Sequence, residues 1–184
     1  TSLLSKEGVS FLAFITSFNQ TFNSEWNTET VYGRNDPIAT FRGTSRNLSL
    51  AFTVPSGTSQ ESEGNLQKFS ELVKMLYPAY SAAPNNGLPK VSTNALVLSK
   101  PPLIRLRFAN LIADSSGEKT DGLLGYITSL SFDPDMEMGM FVESDKLLPK
   151  VYNLNLQFGV LHEHDLGTTP DGKFPKAATF PFGG

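Results

Sequence analysis

Long stretches of this chain alternate apolar and polar residues, the two-residue period of half-buried strands. Leu48, Leu50, Phe52 and Val54 share one face of such a strand; Asn47, Ser49, Ala51 and Thr53 share the other, and Pro55 ends it. Lys150, Tyr152, Leu154, Leu156, Phe158 and Val160 alternate with Val151, Asn153, Asn155, Gln157 and Gly159, which reads as the longest regular strand. Ile104, Leu106 and Phe108 turn inward in a third strand, with Arg105 and Arg107 outward. Leu124, Tyr126, Thr128, Leu130 and Phe132 mark a fourth. Phe11 to Phe18 has the length and aromatic content of another, and Thr28, Thr30 and Tyr32 extend the chain beyond Trp26. Gly33-Arg34-Asn35-Asp36-Pro37 is a turn, with Asp-Pro to start it and Gly for the unusual dihedral.

The period changes once. Leu66, Phe69, Leu72, Val73, Leu76 and Tyr77 recur at helical spacing and predict one apolar stripe on a helix near 58–77. Thr58 and Glu61 have capping-box spacing at its start, and Pro78 stops it. Such a stripe must be buried, and the expectation is that it packs across a sheet.

The predicted fold is therefore mainly β: a two-sheet sandwich or flattened barrel with one flanking α-helix. Residues 1–165 read as a single domain, with a loose arm at 1–10, a flexible connection at 79–88 and a polar hairpin tip at 114–122. Residues 166–184 read as an extended Phe/Pro/Gly-rich tail. Its Phe174, Phe180 and Phe182 are candidates to wrap the domain or to dock on a neighbouring subunit.

A length of 184 residues suffices for one real core. The charged fraction of 18% is low for a free-standing surface and the 14 Phe are many, which fits a protein that covers part of its surface with partners. A net charge of −3 lacks the basic footprint of nucleic-acid binding, although an acidic chain can sit beside DNA in order to repel it. Without cysteine, the fold uses neither disulfides nor thiolate metal sites. The apolar run from Phe11 to Phe18 is too short to span a bilayer, and no membrane association is expected.

Candidate chemistry is sparse. His162 and His164 would share a strand face beside Glu163 and Asp165, a weak metal candidate with no further histidine to complete it. Most carboxylates fall in predicted turns, no serine sits on a nucleophile elbow, and Gly122-Leu123-Leu124-Gly125 lacks the lysine and spacing of a phosphate loop. No enzyme activity and no cofactor are expected. Trp26 is a candidate core or interface anchor. Arg34, Arg42 and Arg46 surround the turn with Asp36 and are candidates for pairing with carboxylates on a neighbouring subunit.

A series of blocks resembles structural proteins from the tails of contractile bacteriophages. They run from Glu25-Trp26-Asn27-Thr28-Glu29 and Val31-Tyr32-Gly33-Arg34-Asn35-Asp36-Pro37-Ile38 through Thr44 to Leu50 and the helix Asn65 to Pro78. Pro101 to Leu106, Asn110-Leu111-Ile112 and Gly122 to Ile127 continue the order, so that the likeness covers roughly residues 20–135. The resemblance is to tail-tube-type proteins at the baseplate end, where the tube starts. It implies a β-sandwich or barrel with a flanking helix, six copies in a ring, and inner sheets closed around a DNA channel. It also implies residence in the virion tail or baseplate after assembly in the bacterial cytoplasm, with other tube and baseplate proteins as partners and DNA passing without specific binding. Asn153, Asn155 and Gln157, or Ser49, Thr53, Thr128 and Ser129, would then line the lumen. Arg105 and Arg107 depart from that pattern, because cations suit an outer or intersubunit face better. Alternatives are a collar linking tube and baseplate wedges, a monomeric barrel holding a small apolar ligand, and a metal enzyme at His162 and His164.

Overall fold

The computed structural model describes residues 1–3, 8–82, 96–108, 111–112, 122–143, 145–163, 167–168 and 171–172, with backbone only for 80–82 and 96–98. Among these residues nine strands and one helix follow one another as β1 (Phe14–Glu29), β2 (Ile38–Pro55), α1 (Ser59–Lys74), β3 (Ala79–Ala82), β4 (Leu96–Lys100), β5 (Ile104–Leu106), β6 (Leu123–Pro134), β7 (Met140–Glu143), β8 (Lys146–Pro149) and β9 (Val151–Val160). The main sheet has five strands in the order β1-β2-β9-β6-β5, all antiparallel; β3–β4 and β7–β8 form separate two-stranded sheets. The mainly β class with a single helix is as expected. The chain does not close a barrel by itself, since among the described residues the main sheet runs open from β1 to β5.

Alternation sorts the sheet into two faces. Leu50, Phe52, Val54, Tyr152, Leu154 and Leu156 form one buried cluster; Leu48, Ile112, Leu123, Phe158 and Val160 form a second beside it. Close packing demands small residues where strands and rings meet. At Gly125 a Cβ would overlap the carbonyl oxygen of Gly159 and lie 2.6 Å from the Phe158 ring.

Helix α1 starts as its sequence predicts. Thr58 is the N-cap, and its Oγ1 accepts from the Glu61 backbone N–H at 3.2 Å. The Glu61 carboxylate reaches back one residue further than a standard capping box, accepting from the Gly57 N–H at 2.8 Å. The helix touches the sheet mainly through aromatics: Phe69 stacks on Phe132 at 4.2 Å between centroids, and Phe132 on Tyr152 at 5.4 Å. The apolar stripe is buried less than expected. Phe69, Leu72, Val73 and Leu76 are half-buried, while Leu66 and Tyr77 are exposed. The helix lies over one end of the sheet, against β8, and its outer positions meet solvent.

Three further expectations are corrected. The longest strands are β1 and β2, with 16 and 18 residues against 10 in β9, because they run on together past the sheet as a two-stranded ribbon. The first residues are not loose: Ser2 bridges Ile104, Leu3 N–H donates to Leu103 O, and Arg105 N–H donates to Thr1 O, so 1–3 line the outer edge of β5. Phe11 precedes β1 and packs its ring against Phe52 at 5.9 Å. All but Gly122 of the polar hairpin tip at 114–122, and most of 79–88, lie outside the described residues.

Candidate functional site

Two surfaces stand out, and both follow from β1 and β2. The first is the polar face of the main sheet. Antiparallel partners share a face, so the register aligns Asn19 with Ser49, Ser49 with Gln157, and Gln157 with Ser129 in one row. Ser17, Ala51, Asn155 and Ser131 form the next row, and exposed Phe14 with Thr53, Asn153 and Asp133 the one after. None of these residues is buried, and the only charge among them is the carboxylate of Asp133. Thr53 Oγ1 donates to Asn153 Oδ1 at 2.8 Å and lies 3.3 Å from Thr16 Oγ1. Thr128, the extra residue of a bulge in β6, donates from its hydroxyl to Gln157 O at 3.2 Å. A shallow hollow of about 210 Å³ lies between Thr21, Asn47, Ser49, Thr128 and Gln157.

The residues expected on a lumen, Asn153, Asn155 and Gln157 with Ser49, Thr53, Thr128 and Ser129, thus come together on one open face. Arg105 sits at its margin. It pairs with Leu124 in the β5–β6 register, and its guanidinium is held bidentately by Glu163 at 2.7 and 2.8 Å, with a further bond to Gly122 O at 3.1 Å. That pairing neutralises the cation beside the polar rows. Arg107 is exposed just beyond the end of β5.

The second surface is the ribbon. The β9 pairing of β2 stops at Asn47, whereas the β1–β2 pairing continues to Glu29 and Ile38. The ribbon therefore projects as an arm closed by the turn at 30–37, where Gly33 takes a positive φ of 84°. Trp26 and Phe41 meet edge to face at 5.2 Å, and Trp26 Nε1–H donates to Ser24 Oγ at 2.9 Å. Trp26 remains 57% exposed; Phe22, Tyr32, Ile38 and Phe41 are exposed as well. Arg34, Asp36 and Arg42 are exposed around the same arm.

Arg46 differs from its neighbours and corrects the expectation of an intersubunit contact. It is buried, at 2% exposure, on the core side of β2 where the arm leaves the sheet. Its Nη2 donates to Gln20 Oε1 at 2.9 Å and its guanidinium lies 5.5 Å above the Phe22 ring. Burial lowers its pKa from the usual arginine value. His162 is nearby; partial desolvation, then the Arg46 charge, push its pKa below the ordinary imidazole value. Among the described residues no cluster of three or more His, Asp or Glu could hold a metal. His164, Phe174, Phe180 and Phe182 lie outside the described residues.

The apolar side of the sheet holds an open groove of about 740 Å³ between the 9–15 segment, β5 and α1, lined by Phe11, Ile15, Phe52, Leu72, Leu156 and Phe158 among others. Sequence reasoning missed an exposed patch at the far end of the sheet. Met136, Met138, Val142 and Leu147 project there from the turn after β6 and the β7–β8 hairpin. The signal was available: Met136 to Val142 is an apolar run too short to make a core strand and interrupted by Gly139. No helix among the described residues is long and apolar enough to cross a membrane. No protein-family model and no curated protein matches the sequence.

Proposed function

We propose that the chain is a structural subunit of a contractile phage tail, one of about six copies in a ring at the baseplate hub where the tube begins, enclosing the DNA channel. The observation that carries this reading is the open sheet face made mostly of small hydroxyl and amide side chains, with Phe14 at one margin and without Lys or Arg in its central rows. An antiparallel sheet commonly keeps one face solvated; what fits a channel wall here is that long cationic side chains are missing from the central rows of that face. Duplex DNA adheres to proteins chiefly through cation–phosphate attraction, so a neutral to acidic wall lets it slide. The arm adds a projecting, aromatic-rich surface of the kind that joins subunits. The ordered sequence blocks from Glu25 to Ile127 supply the likeness to tail-tube proteins, and β1 and β5 supply the two margins that copies would join to close a barrel.

Proteomics and a density map of purified tails test the reading. The expected result is the chain in a ring of fixed copy number with Asn153, Asn155 and Gln157 toward the axis. Its absence from purified virions overturns the proposal. The apolar groove favours one other reading, a carrier of a small apolar ligand. Native mass spectrometry separates the two, since a carrier is a monomer with a stoichiometric bound mass.

A further inference from the structure

The groove of about 740 Å³ on the apolar side of the main sheet opens directly onto the core. Phe52, Leu156 and Phe158 line it, and all three are buried members of the two core clusters. Phe11, Phe108 and Leu72 wall it from the 9–15 segment, the end of β5 and α1. A hollow that reaches the core deprives its lining of packing partners, so apolar side chains that enter it stabilise the fold.

Composition singles out which part of the chain can enter. Outside the described residues, every aromatic residue lies in one segment, 173–184, as Phe174, Phe180 and Phe182. The other long segments outside them, 83–95 and 113–121, offer only Leu88 and Val91 as large apolar side chains. Phe174 and Phe180 each precede a proline, Pro175 and Pro181, which biases them to an extended backbone. In an extended stretch Phe180 and Phe182 project to the same side, and Pro181 between them has no N–H to leave unpaired in an apolar setting. Three phenyl rings meeting Phe11, Phe52, Phe108 and Phe158 would add ring–ring contacts to the burial.

Position agrees with composition. Beyond β9, Leu161 N–H donates to Leu124 O at 2.8 Å, and Glu163 holds Arg105 of β5 at 2.7 and 2.8 Å. The chain is thus tied at Glu163 to the strand that forms one wall of the groove. The three phenylalanines follow Glu163 by 11 to 19 residues. At about 3.3 Å per residue that is a reach of roughly 36 to 63 Å. A tether of this length gives an effective concentration on the order of 1 mM, so in dilute solution a copy's own segment wins over that of any other copy.

We infer that Phe174, Phe180 and Phe182 fill the groove of their own chain and complete the core on the apolar side of the sheet. The inference goes beyond the reading of the chain as a tail subunit and does not rest on it. It also takes the groove away from a small apolar ligand, the rival occupant.

Two measurements on full-length chain test it. A benzophenone amino acid replaces Phe180, and an equal mixture of isotope-labelled and unlabelled chain is irradiated at about 5 μM, far below the effective concentration of the tether. The expected cross-links join peptides of one isotope and fall on those containing Phe11, Leu72 or Phe108. Cross-links between isotopes, to another surface or to nothing overturn the inference. The second measurement uses the apolar dye 8-anilinonaphthalene-1-sulfonate. The variant Phe174→Ser/Phe180→Ser/Phe182→Ser should bind it at least about tenfold more tightly than wild type, since a vacated apolar groove is a small-molecule site. A synthetic peptide of residues 173–184 should displace the dye, and the same peptide with serine at the three positions should not. Equal dye binding by variant and wild type overturns the inference, as does a small apolar molecule retained stoichiometrically by purified wild type. Neither measurement depends on the ring, so absence from virions would sink the phage reading and leave this one standing.

Discussion

The hydroxyls of Ser62 and Tyr152 meet at 2.7 Å where α1 crosses the sheet, and both residues are buried. Ser62 Oγ also lies 2.7 Å from Pro149 O, and Tyr152 OH donates to Ser62 O at 3.3 Å, so the pair fastens the helix to β8 and β9 together. Ser62→Ala leaves the part-buried Pro149 carbonyl without this donor and should cost roughly 1–3 kcal/mol; Tyr152→Phe, which spares the serine–carbonyl bond, should cost about 1 kcal/mol. Because the residues share one network, the double variant should lose less than the sum. Urea unfolding of the four chains checks this, and strict additivity would mean that the hydroxyls act separately.

Two glycines separate a rigid clash from a yielding one. At Gly125 the added methyl meets the Gly159 carbonyl and the buried Phe158 ring; at Gly159 it meets the Tyr126 ring at 2.7 Å. Tyr126 is exposed and can swing outward, whereas the backbone of β9 cannot move without breaking pairs on both sides. Gly125→Ala should therefore cost about 3 kcal/mol, at the upper end of the overpacking range, and Gly159→Ala about 1 kcal/mol. Equal losses in denaturant midpoint would contradict this account.

The strands of the sheet were legible in the sequence because each buries one face and leaves the other wet, as in Leu48 to Val54 and Tyr152 to Val160. The start of α1 was legible because Thr58 and Glu61 are local chemistry. The arm was not. Its residues are exposed on both faces, so no burial pattern records how far β1 and β2 continue. Arg46 was misread for a related reason: nothing local distinguishes it from Arg42, and only the register places it at the last covered position of β2. The half-open stripe of α1 shows the same limit, since Leu66 and Tyr77 fit the helical period without a surface to meet among the described residues.

His162, exposed but close enough to Arg46 to feel its charge, should make folding stability mildly sensitive to acid. Its folded-state pKa is depressed by partial desolvation and by Arg46, so the unfolded chain binds the proton more readily. Stability from the neutral ring is complete above the unfolded value of about 6.5 and declines as pH falls through it toward the lower folded value. Thermal melts should show a small drop in Tm across that window, and His162→Asn should flatten it. An unchanged pH profile in the variant would assign the drop to other groups.

The polar rows give the sharpest test of the channel. Asn155 and Gln157 are exposed on β9 with no cation paired beside them among the described strands, so replacing both with lysine should change folding stability by less than about 0.5 kcal/mol. The effect on DNA should be far larger. In the proposed ring every lysine pair is repeated around the axis, and each phosphate neutralised contributes about −0.9 to the slope of log affinity against log salt for duplex DNA. Rings of Asn155→Lys/Gln157→Lys chain should retain duplex at low salt and release it as salt rises, whereas wild-type rings should not retain it. In particles carrying the variant, DNA release should slow while tail length and contraction stay normal. Normal release from such particles would show that these rows face away from the DNA.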